Sequence, residues 1–289
     1  MIKKIYYFLR YGLLKRPINA ITSPMRILPE CTVIGSGKSG TTALYYYLGQ
    51  HPCIKKSAYD ELGFYNDNFH LGINWYKSLF PTIITRKKIV QEYGKFLTYD
   101  VTPQYLRDPS NAKKMFDYFP KMKLIVILRN PIDKTYSAYI ARRNANALPL
   151  INNKPETFDH FVDQEIKFIS EYETDDGKID DNYFKNIVPQ TILARGFYAQ
   201  FLKKWFEIFD RDQFLIIPSY DLANNTSETL EKIFTFLDLP LYDISDMSKQ
   251  NTQYYEPMET ETRKKLINFY KKYNSELYSL LDRNFDWDK

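Results

Sequence analysis

The chain has 289 residues, of which 44% are hydrophobic and 26% are charged, a composition typical of a globular protein with a sizeable core and not of a disordered one. Forty basic and 35 acidic residues give a net charge of +5 without a concentrated basic block, so the charge favours an anionic ligand only weakly and gives no indication of a nucleic-acid partner. Two cysteines, Cys31 and Cys53, exclude a disulfide scaffold and a zinc site built mainly from thiolates. The longest apolar run, 43–48, is far shorter than the roughly 20 residues of a membrane-spanning helix.

Residues 1–28 form an N-terminal basic amphipathic segment. Apolar and basic residues alternate there at helical spacing: Ile5, Phe8, Leu9 and Leu13, with Lys3, Lys4, Arg10 and Lys15. A secretory signal is disfavoured, because Arg10 interrupts the apolar stretch and no small-residue cleavage site follows. Two interpretations remain, a helix in residues 1–20 that makes peripheral contact with an anionic membrane surface and a helix docked on the protein body.

From residue 29 onward the pattern is α/β and predicts one domain, 29–289. The predicted strands are Thr32–Ile34, Phe96–Tyr99, Leu124–Leu128 and Phe214–Ile217, and the predicted helices are Thr41–Gly49, a helix starting at Pro131, and Thr226–Leu237 with a capping box of Asn225 and Glu228. Continuous apolar strands that alternate with helices are typical of a central parallel sheet flanked by helices on both faces.

The stretch Cys31–Leu48 predicts an anion site, because a short strand runs through a glycine-rich turn into a helix. Backbone N–H groups of such a turn and of the helix N-terminus point to a common spot. The residues expected to contribute are Gly35, Ser36, Gly37, Lys38, Ser39, Gly40, Thr41 and Thr42. The alternative is a glycine-rich turn without a ligand.

The loop is not that of a nucleotide triphosphatase. The pattern G-x-x-x-x-G-K-[ST] requires its first glycine at position 32, where this chain has Thr32. The strand Leu124–Leu128 is followed by Arg129, where a magnesium-dependent NTPase would offer an aspartate.

Two segments together resemble one known family. Cys31–Leu48 resembles the 5′-phosphosulfate loop of sulfotransferases that use 3′-phosphoadenylyl sulfate (PAPS), and Leu124–Tyr139 (LIVILRNPIDKTYSAY) resembles their 3′-phosphate motif. Weaker matches extend the resemblance to the C-terminus: Gly72–Tyr76, Arg195–Tyr198 and Phe285–Trp287. The combination is most similar to the heparan-sulfate and bacterial polysaccharide branch.

The resemblance implies a P-loop-like three-layer fold and an enzyme that moves a sulfuryl group from PAPS to a hydroxyl or amine of a carbohydrate or small-molecule acceptor. It assigns Arg129 and Ser137 to the 3′-phosphate and Lys38 to the bridging oxygen of the leaving phosphate, where negative charge develops. No metal is expected, since the three histidines are scattered along the chain. Alternatives are a non-catalytic nucleotide- or glycan-binding module and a small-molecule kinase using ATP.

The general base is expected at Glu61, because the segment ELGFYND (61–67) is similar to the one that carries a glutamate base in the polysaccharide branch. The adjacent acid, Asp60, is not expected to act as the base. His70 is the alternative base, because the cytosolic branch of the family uses a histidine. An exposed pair of loop acids is the remaining interpretation.

Two departures from the family pattern affect the site. Val101 stands where the family has a lysine that assists the sulfate, next to Asp100, which either orients the acceptor or caps the strand end. In the family, a loop late in the sequence carries a Lys/Arg-Gly pair that lies over the 3′-phosphate. In this chain Lys249 corresponds to the basic residue of the pair, and the glycine is missing.

Aromatic residues make up 17% of the chain, and the sequence offers several uses for them. Tyr198 is expected either to stack on adenine or to pack in the core. Five aromatics near Glu61 are suited to stacking on sugar rings: Phe64, Tyr65, Trp75, Tyr76 and Tyr105. The expected location is the cytoplasm, where free cysteines are stable.

Overall fold

The computed structural model describes residues 21–148, 150–151, 154–172, 187–247 and 256–288. Five parallel strands form the central sheet in the order β2-β3-β1-β4-β7. They are β1 (Cys31–Gly35), β2 (Ile54–Lys56), β3 (Leu97–Val101), β4 (Lys123–Leu128) and β7 (Phe214–Pro218). A small antiparallel pair, β5 (Leu150–Ile151) and β6 (Lys154–Pro155), lies apart from them. The predicted parallel sheet is confirmed, and the short edge strand β2 is an addition to the four predicted strands.

Helices cover both faces of the sheet. They are α1 (Thr41–Leu48), α2 (Gly72–Lys77), α3 (Ile83–Tyr93), α4 (Ser110–Tyr118), α5 (Pro131–Asn144), α6 (Phe158–Ser170), α7 (Tyr198–Phe206), α8 (Ser219–Asn224), α9 (Thr226–Phe236) and α10 (Thr260–Leu281). Helix α5 starts with Pro131, whose fixed φ suits the first helical position and whose missing N–H would have no partner inside the helix.

The two faces of β4 enter two separate hydrophobic clusters. Leu124, Val126 and Leu128 pack into a cluster that includes residues of α4–α7 and α10, whereas Ile125 and Ile127 pack into one formed with α1 and α9. All five side chains are fully buried. Because burying each such side chain contributes about 1.5–3 kcal/mol, this strand anchors both outer layers.

The strand order determines where a ligand-binding crevice forms at the edge of the sheet. From β1 the chain passes to β2 and β3 on one side of β1 and then to β4 and β7 on the other, so the connections that follow β1 and β4 run in opposite directions from the carboxyl edge of the sheet. In open α/β sheets this point leaves a crevice in which ligands bind.

The predicted capping box of α9 is wrong. Asn225 makes no side-chain cap bond, and α9 follows α8 without an intervening loop. The N–H of Asn225 donates to the carbonyl of Asp221 (2.8 Å) and the hydroxyl of Thr226 to the carbonyl of Leu222 (2.9 Å), so the last carbonyls of α8 have partners from the start of α9.

Residues 1–20 and the segment of Lys249 lie outside the described residues, so the expectations placed on them stay predictions. In the described part of the chain, no helix has both the length and the apolar character needed to cross a membrane.

Candidate active site

The loop between β1 and α1 adopts a conformation that favours anion binding. Gly40 precedes α1 with a φ of 98°, and Lys38 has a φ of 66°. This left-handed region is open to glycine but strained for lysine. A hydrogen bond from Nη1 of Arg129 to the carbonyl oxygen of Lys38 (2.9 Å) holds the strained residue in place. The first-turn N–H groups of α1 have no acceptor within the helix and carry its positive dipole end.

Ser36 anchors the loop to the end of β4. Its N–H donates to the carbonyl of Ile127 (2.8 Å), and its hydroxyl lies 2.7 Å from that of Ser39 and 3.1 Å from the same carbonyl. The loop therefore has a fixed position relative to β4, from whose carboxyl end Arg129 follows.

Arg129 and Ser137 reach the same cavity as the loop. The cavity has a volume of about 1200 Å³. Its lining includes ten residues expected from the sequence: Ser36, Gly37, Lys38, Ser39, Gly40, Thr41, Thr42, Glu61, Arg129 and Ser137. We call the loop 36–42 with Arg129 and Ser137 the loop side of this cavity.

Gly35 and Tyr198 do not line the cavity, which corrects their assignment as ligand-binding residues. Gly35 is buried in β1, where a Cβ atom would lie 2.6 Å from Cδ2 of Leu106, so its role is to allow close packing. Tyr198 is 1% exposed and leaves no ring face open to a base.

Tyr198 instead supports the loop between β1 and α1 through buried contacts. Its hydroxyl donates to the carbonyl oxygen of Arg129 (2.8 Å) and lies 3.5 Å from the hydroxyl of Ser36. Its ring lies 5.0 Å from the ammonium of Lys134 and 5.9 Å from the ring of Trp287. Burial raises the pKa of the Tyr198 hydroxyl, so it stays protonated and remains a donor.

Glu61 lines the same cavity together with Gln104 and Arg107, and we call these three residues the β3 side. Its N–H donates to the carbonyl of Val101 at the end of β3 (2.7 Å), and its carboxylate accepts from Nε2 of Gln104 (3.3 Å). The side chain is exposed, and its φ of 56° places it in the left-handed region. Glu61 is therefore an exposed carboxylate in the lining of the same cavity as Lys38, and an accessible carboxylate is what a general base needs.

Asp100 supports the segment that carries Glu61 through hydrogen bonds and does not itself line the cavity. It is fully buried and accepts hydrogen bonds from Thr102 (2.8 Å), Tyr76 (2.9 Å) and Tyr105 (2.9 Å). Two of these hydroxyls accept in turn from the backbone after Glu61: Thr102 from the N–H of Gly63 (3.3 Å) and Tyr105 from that of Phe64 (2.8 Å).

Burial raises the pKa of Asp100 to about 6, although the three hydroxyl donors act in the opposite direction. Asp100 therefore titrates in the range where many enzymes work, while its contacts fix the position of the backbone that carries Glu61.

Several residues expected on the β3 side lie elsewhere. His70 is exposed, and neither His70 nor Asp60 lines the cavity. Four of the five aromatics expected to stack on sugar are fully buried: Phe64, Tyr65, Tyr76 and Tyr105. The expectation was wrong because these rings pack on one another, with the rings of Phe64 and Tyr76 stacked at 4.3 Å.

The cavity lining also includes cationic side chains that were not expected there from the sequence, among them Arg107 and Lys134. Lys134 lies three residues before Ser137 in the 3′-phosphate motif and Arg107 shortly after the end of β3. Their positions at the carboxyl edge were therefore a usable signal.

The residues of the loop side fit a phosphorylated ligand. Lysine, arginine and hydroxyl side chains line one cavity together with the N-terminal end of α1, and these are the donor groups that bind phosphate and sulfate. Across the described ranges, no group of three or more His, Cys, Asp or Glu side chains is placed to hold a metal ion.

Comparison with known proteins agrees with this geometry. Residues 28–279 match the family described as Sulfotransferase domain. The chain is 26% identical to "Membrane-associated sulfotransferase kil1" of Dictyostelium discoideum over 90% of its length and 66% of that protein. It is 27% identical to "Bifunctional heparan sulfate N-deacetylase/N-sulfotransferase 4" of Mus musculus over 89% of its length and 30% of that protein. The chain thus spans slightly under two thirds of the first relative and less than a third of the second.

A solved structure shows the same fold. The crystal structure of a sulfotransferase from Alicyclobacillus acidocaldarius superposes with a TM-score of 0.65 at 22% identity, covering 91% of this chain and 100% of that one. The P-loop-like α/β fold implied by the sequence is confirmed.

Proposed function

The chain belongs to the sulfotransferase domain family, and from that membership we propose that it transfers the sulfuryl group of PAPS to a hydroxyl or amine of a carbohydrate-type acceptor. One observation carries the proposal: Lys38, Arg129 and Ser137 line the same cavity as Glu61. Groups suited to binding phosphate and a carboxylate that can accept a proton therefore line one cavity.

The loop side is the place for PAPS, which would supply the activated sulfuryl group. The N–H groups and hydroxyls of the loop 36–42 bind its 5′-phosphosulfate, and Arg129 with Ser137 binds its 3′-phosphate. Lys249 remains a proposed further contact.

The chemistry then needs two groups from the protein. The S–O bond to the phosphate breaks while a bond from sulfur to the acceptor oxygen or nitrogen forms, and the acceptor proton passes to the carboxylate of Glu61. The ammonium of Lys38 stabilises the negative charge that develops on the leaving phosphate oxygen. Neither role requires a metal ion, and this independence from metal is part of the proposal.

The carbohydrate acceptor has support from two sources. The Mus musculus relative is named for N-sulfation of heparan sulfate. The cavity is also large enough for a sugar beside a nucleotide, and Glu61, Gln104 and Arg107 add polar groups to its lining.

The proposal is tested first by calorimetric titration with 3′,5′-ADP, the product that PAPS leaves behind. Transfer from labelled PAPS to a panel of glycans then tests catalysis, with and without a chelator. Binding without transfer would indicate a non-catalytic module, whereas ATP turnover that depends on magnesium and ignores a 3′-phosphate would indicate a kinase.

The cytoplasmic location and the membrane contact of residues 1–20 are also proposals. The name of the Dictyostelium discoideum relative records membrane association for that protein. Flotation with anionic vesicles, compared between the full chain and a variant with Phe8→Asp and Leu9→Asp, tests the contact. Equal partitioning of the two proteins would contradict it.

A further inference from the structure

Helix α3 has little packing against the rest of the described chain. It consists of 11 residues, Ile83–Tyr93, of which only Ile89 is buried, and Ile89 belongs to neither of the two hydrophobic clusters around the sheet. A cap holds its start, where the hydroxyl of Thr82 accepts from the N–H of Thr85 (3.2 Å). Isolated helices shorter than about 12–15 residues are marginal in water, and most of the stability of a helix in a protein comes from packing of one face. A further contact on the outward side of α3 would supply such packing.

Exposed apolar side chains collect on α3 and beside its two ends. More than half of the large apolar side chains that are exposed in the described part of the chain belong to this set, which comprises Ile21, Met25, Ile83, Ile84, Val90, Tyr93 and Tyr242. Single exposed apolar residues are common on protein surfaces, whereas a contiguous group of them marks an interaction site. We call these seven residues, together with Arg86 and Lys88, the α3 face.

The start of the described chain runs alongside the start of α3. Arg26 forms a β-bridge with Thr82, the residue before the helix, and its Nη1 donates to the carbonyl of Phe80 (2.7 Å). Ile21 and Met25 precede Arg26 by a few residues at most, so they lie beside the first turn of α3.

The other end of α3 lies near a further exposed aromatic residue. Tyr242 is within electrostatic range of the hydroxyl of Tyr93, and its ring lies 5.3 Å from that of His51. His51 comes shortly before β2, the edge strand of the sheet. The α3 face therefore extends from the start of the described chain to this edge.

Basic side chains flank the apolar strip of α3. At 3.6 residues per turn, Ile83 and Val90 lie on one strip of the helix, and the exposed side chains of Arg86 and Lys88 lie on either side of it. Glu92, the one acidic residue of the helix, lies on the side opposite Ile83. The outward side of α3 thus presents apolar and positively charged groups without a carboxylate.

This combination favours an anionic lipid surface over a second copy of the chain. In a symmetric dimer the same patch meets itself, which would bring Arg86 and Lys88 of the two copies together. On a bilayer, apolar side chains enter the interface while Lys and Arg keep their charged ends among the headgroups, and Tyr favours the same depth. The described chain begins beside α3, and the sequence before residue 21 has the same apolar and basic character, so both would meet the same anionic surface.

We propose that the α3 face lies on an anionic lipid bilayer and is a membrane contact of the folded domain. It goes beyond the contact proposed for residues 1–20, because it consists of described residues of the domain itself. It is independent of the proposed sulfuryl transfer, because none of its residues lines the cavity. Two contacts on one chain bind a surface more tightly than either alone, since the first raises the effective concentration of the second.

The test measures flotation of the full chain with phosphatidylcholine vesicles that contain or lack about one third phosphatidylserine. Wild type should bind the anionic vesicles at least about tenfold more tightly than the neutral ones, because each basic residue near an anionic surface strengthens binding about fivefold.

Ile84→Asp tests the apolar part of the α3 face. It should weaken binding to the anionic vesicles at least about tenfold, because it removes an apolar contact and adds a repelled charge. An acidic residue in the first turn is compatible with the helix dipole, so α3 should still form. The matched control is Tyr172→Asp, which also replaces one exposed apolar side chain by a carboxylate, just after α6, and should bind like wild type.

Arg86→Gln tests the charge of the α3 face. It should weaken binding to the anionic vesicles about fivefold, whereas Arg143→Gln, at an exposed position of α5, should leave it unchanged. Circular dichroism and the midpoint of urea unfolding show whether each variant is folded. If Ile84→Asp does not fold, Ile84→Gln replaces it and should still weaken binding through the lost apolar contact.

Binding of Ile84→Asp equal to that of wild type, or an equal loss in Tyr172→Asp, would overturn the proposal. The first result, combined with loss of binding in the variant with Phe8→Asp and Leu9→Asp, would leave residues 1–20 as the whole membrane contact. Wild type that binds neither kind of vesicle, or that forms a dimer which Ile84→Asp dissociates, would also overturn it. A chain that does not bind 3′,5′-ADP would instead contradict the proposed function, so the two failures are distinguishable.

Discussion

The loop side and the β3 side of the cavity are built in different ways. The loop side is formed by the contiguous segment 36–42 and by Arg129 and Ser137, which lie within nine positions of each other. The β3 side joins Glu61 to Gln104 and Arg107, more than forty positions away in the chain. Local backbone geometry specifies the loop 36–42 itself, whereas long-range packing brings Arg129 and Ser137 to it and assembles the whole of the β3 side.

The difference extends to what holds each wall in place. On the loop side the reactive groups are fixed by backbone hydrogen bonds to β4 and by the bond from Arg129 to the carbonyl of Lys38. On the β3 side the backbone near Glu61 is held by hydroxyls that depend on one buried carboxyl, Asp100. The loop side is therefore expected to respond to substitutions through chemistry and ligand binding, and the β3 side also through pH and stability.

The largest effect is expected from Lys38→Ala on the loop side. Loss of the ammonium should lower kcat by about 10²- to 10³-fold, the usual cost of removing one group that stabilises developing charge. The measurement is single-turnover transfer from labelled PAPS. The control is Lys87→Ala, an exposed lysine of α3 away from the cavity, which should leave kcat unchanged. Turnover of Lys38→Ala close to wild type would exclude the assigned role.

Glu61→Gln tests the β3 side with a smaller expected loss. Removing the base should lower kcat by about a hundredfold with little change in the KM for PAPS, because the amide cannot take the acceptor proton. Asp60→Asn is the matched control, since this adjacent acid does not line the cavity. Equal losses from Asp60→Asn and Glu61→Gln would contradict the assignment of the base to Glu61 alone.

Most of the loop side could be predicted from the sequence, for a physical reason. A strand, a glycine-rich turn and a helix start are each specified by neighbouring residues, so the segment from Gly37 to Thr42 could be placed without knowledge of the rest of the fold. Arg129 could be placed as well, because the apolar run of β4 ends directly before it.

Burial depends on contacts between residues that are distant in the chain, so the burial of several aromatic side chains could not be predicted from the sequence. Tyr198 has a hydroxyl and a ring suited to adenine, but α10 and the C-terminal Trp287 enclose it. Tyr76 and Tyr105 are of a residue type common on sugar-binding surfaces, yet here their hydroxyls donate hydrogen bonds to the buried carboxylate of Asp100. Arg107 was missed although it follows the end of β3 at the carboxyl edge of the sheet, a position that was a usable signal.

The pH dependence of stability distinguishes the β3 side through Asp100. Burial raises its pKa from an ordinary 3.8 to about 6, so between these values the folded protein binds more protons than the unfolded one. The free energy of unfolding attributable to this group therefore falls as the pH rises through that window. The difference between wild type and Asp100→Asn should fall by about 2 kcal/mol from about pH 4.5 to about pH 7.

Urea unfolding followed by circular dichroism measures this difference at each pH. Glu165, whose pKa burial raises to about 7, titrates in both proteins and cancels from the difference. A difference that does not change with pH would show that Asp100 is not the buried, protonated group described above.

The smallest effect is expected from Arg129→Ala, and it tests whether the loop side recognises the 3′-phosphate. Loss of one charge-assisted contact should weaken binding of 3′,5′-ADP by about tenfold. Arg129 also supports the loop through the carbonyl of Lys38, so weaker binding alone does not identify the lost contact. The informative quantity is the ratio of the affinities for 3′,5′-ADP and for 5′-AMP, which lacks the 3′-phosphate. Arg129→Ala should reduce this ratio, whereas loosening of the loop would weaken both ligands equally and leave the ratio unchanged.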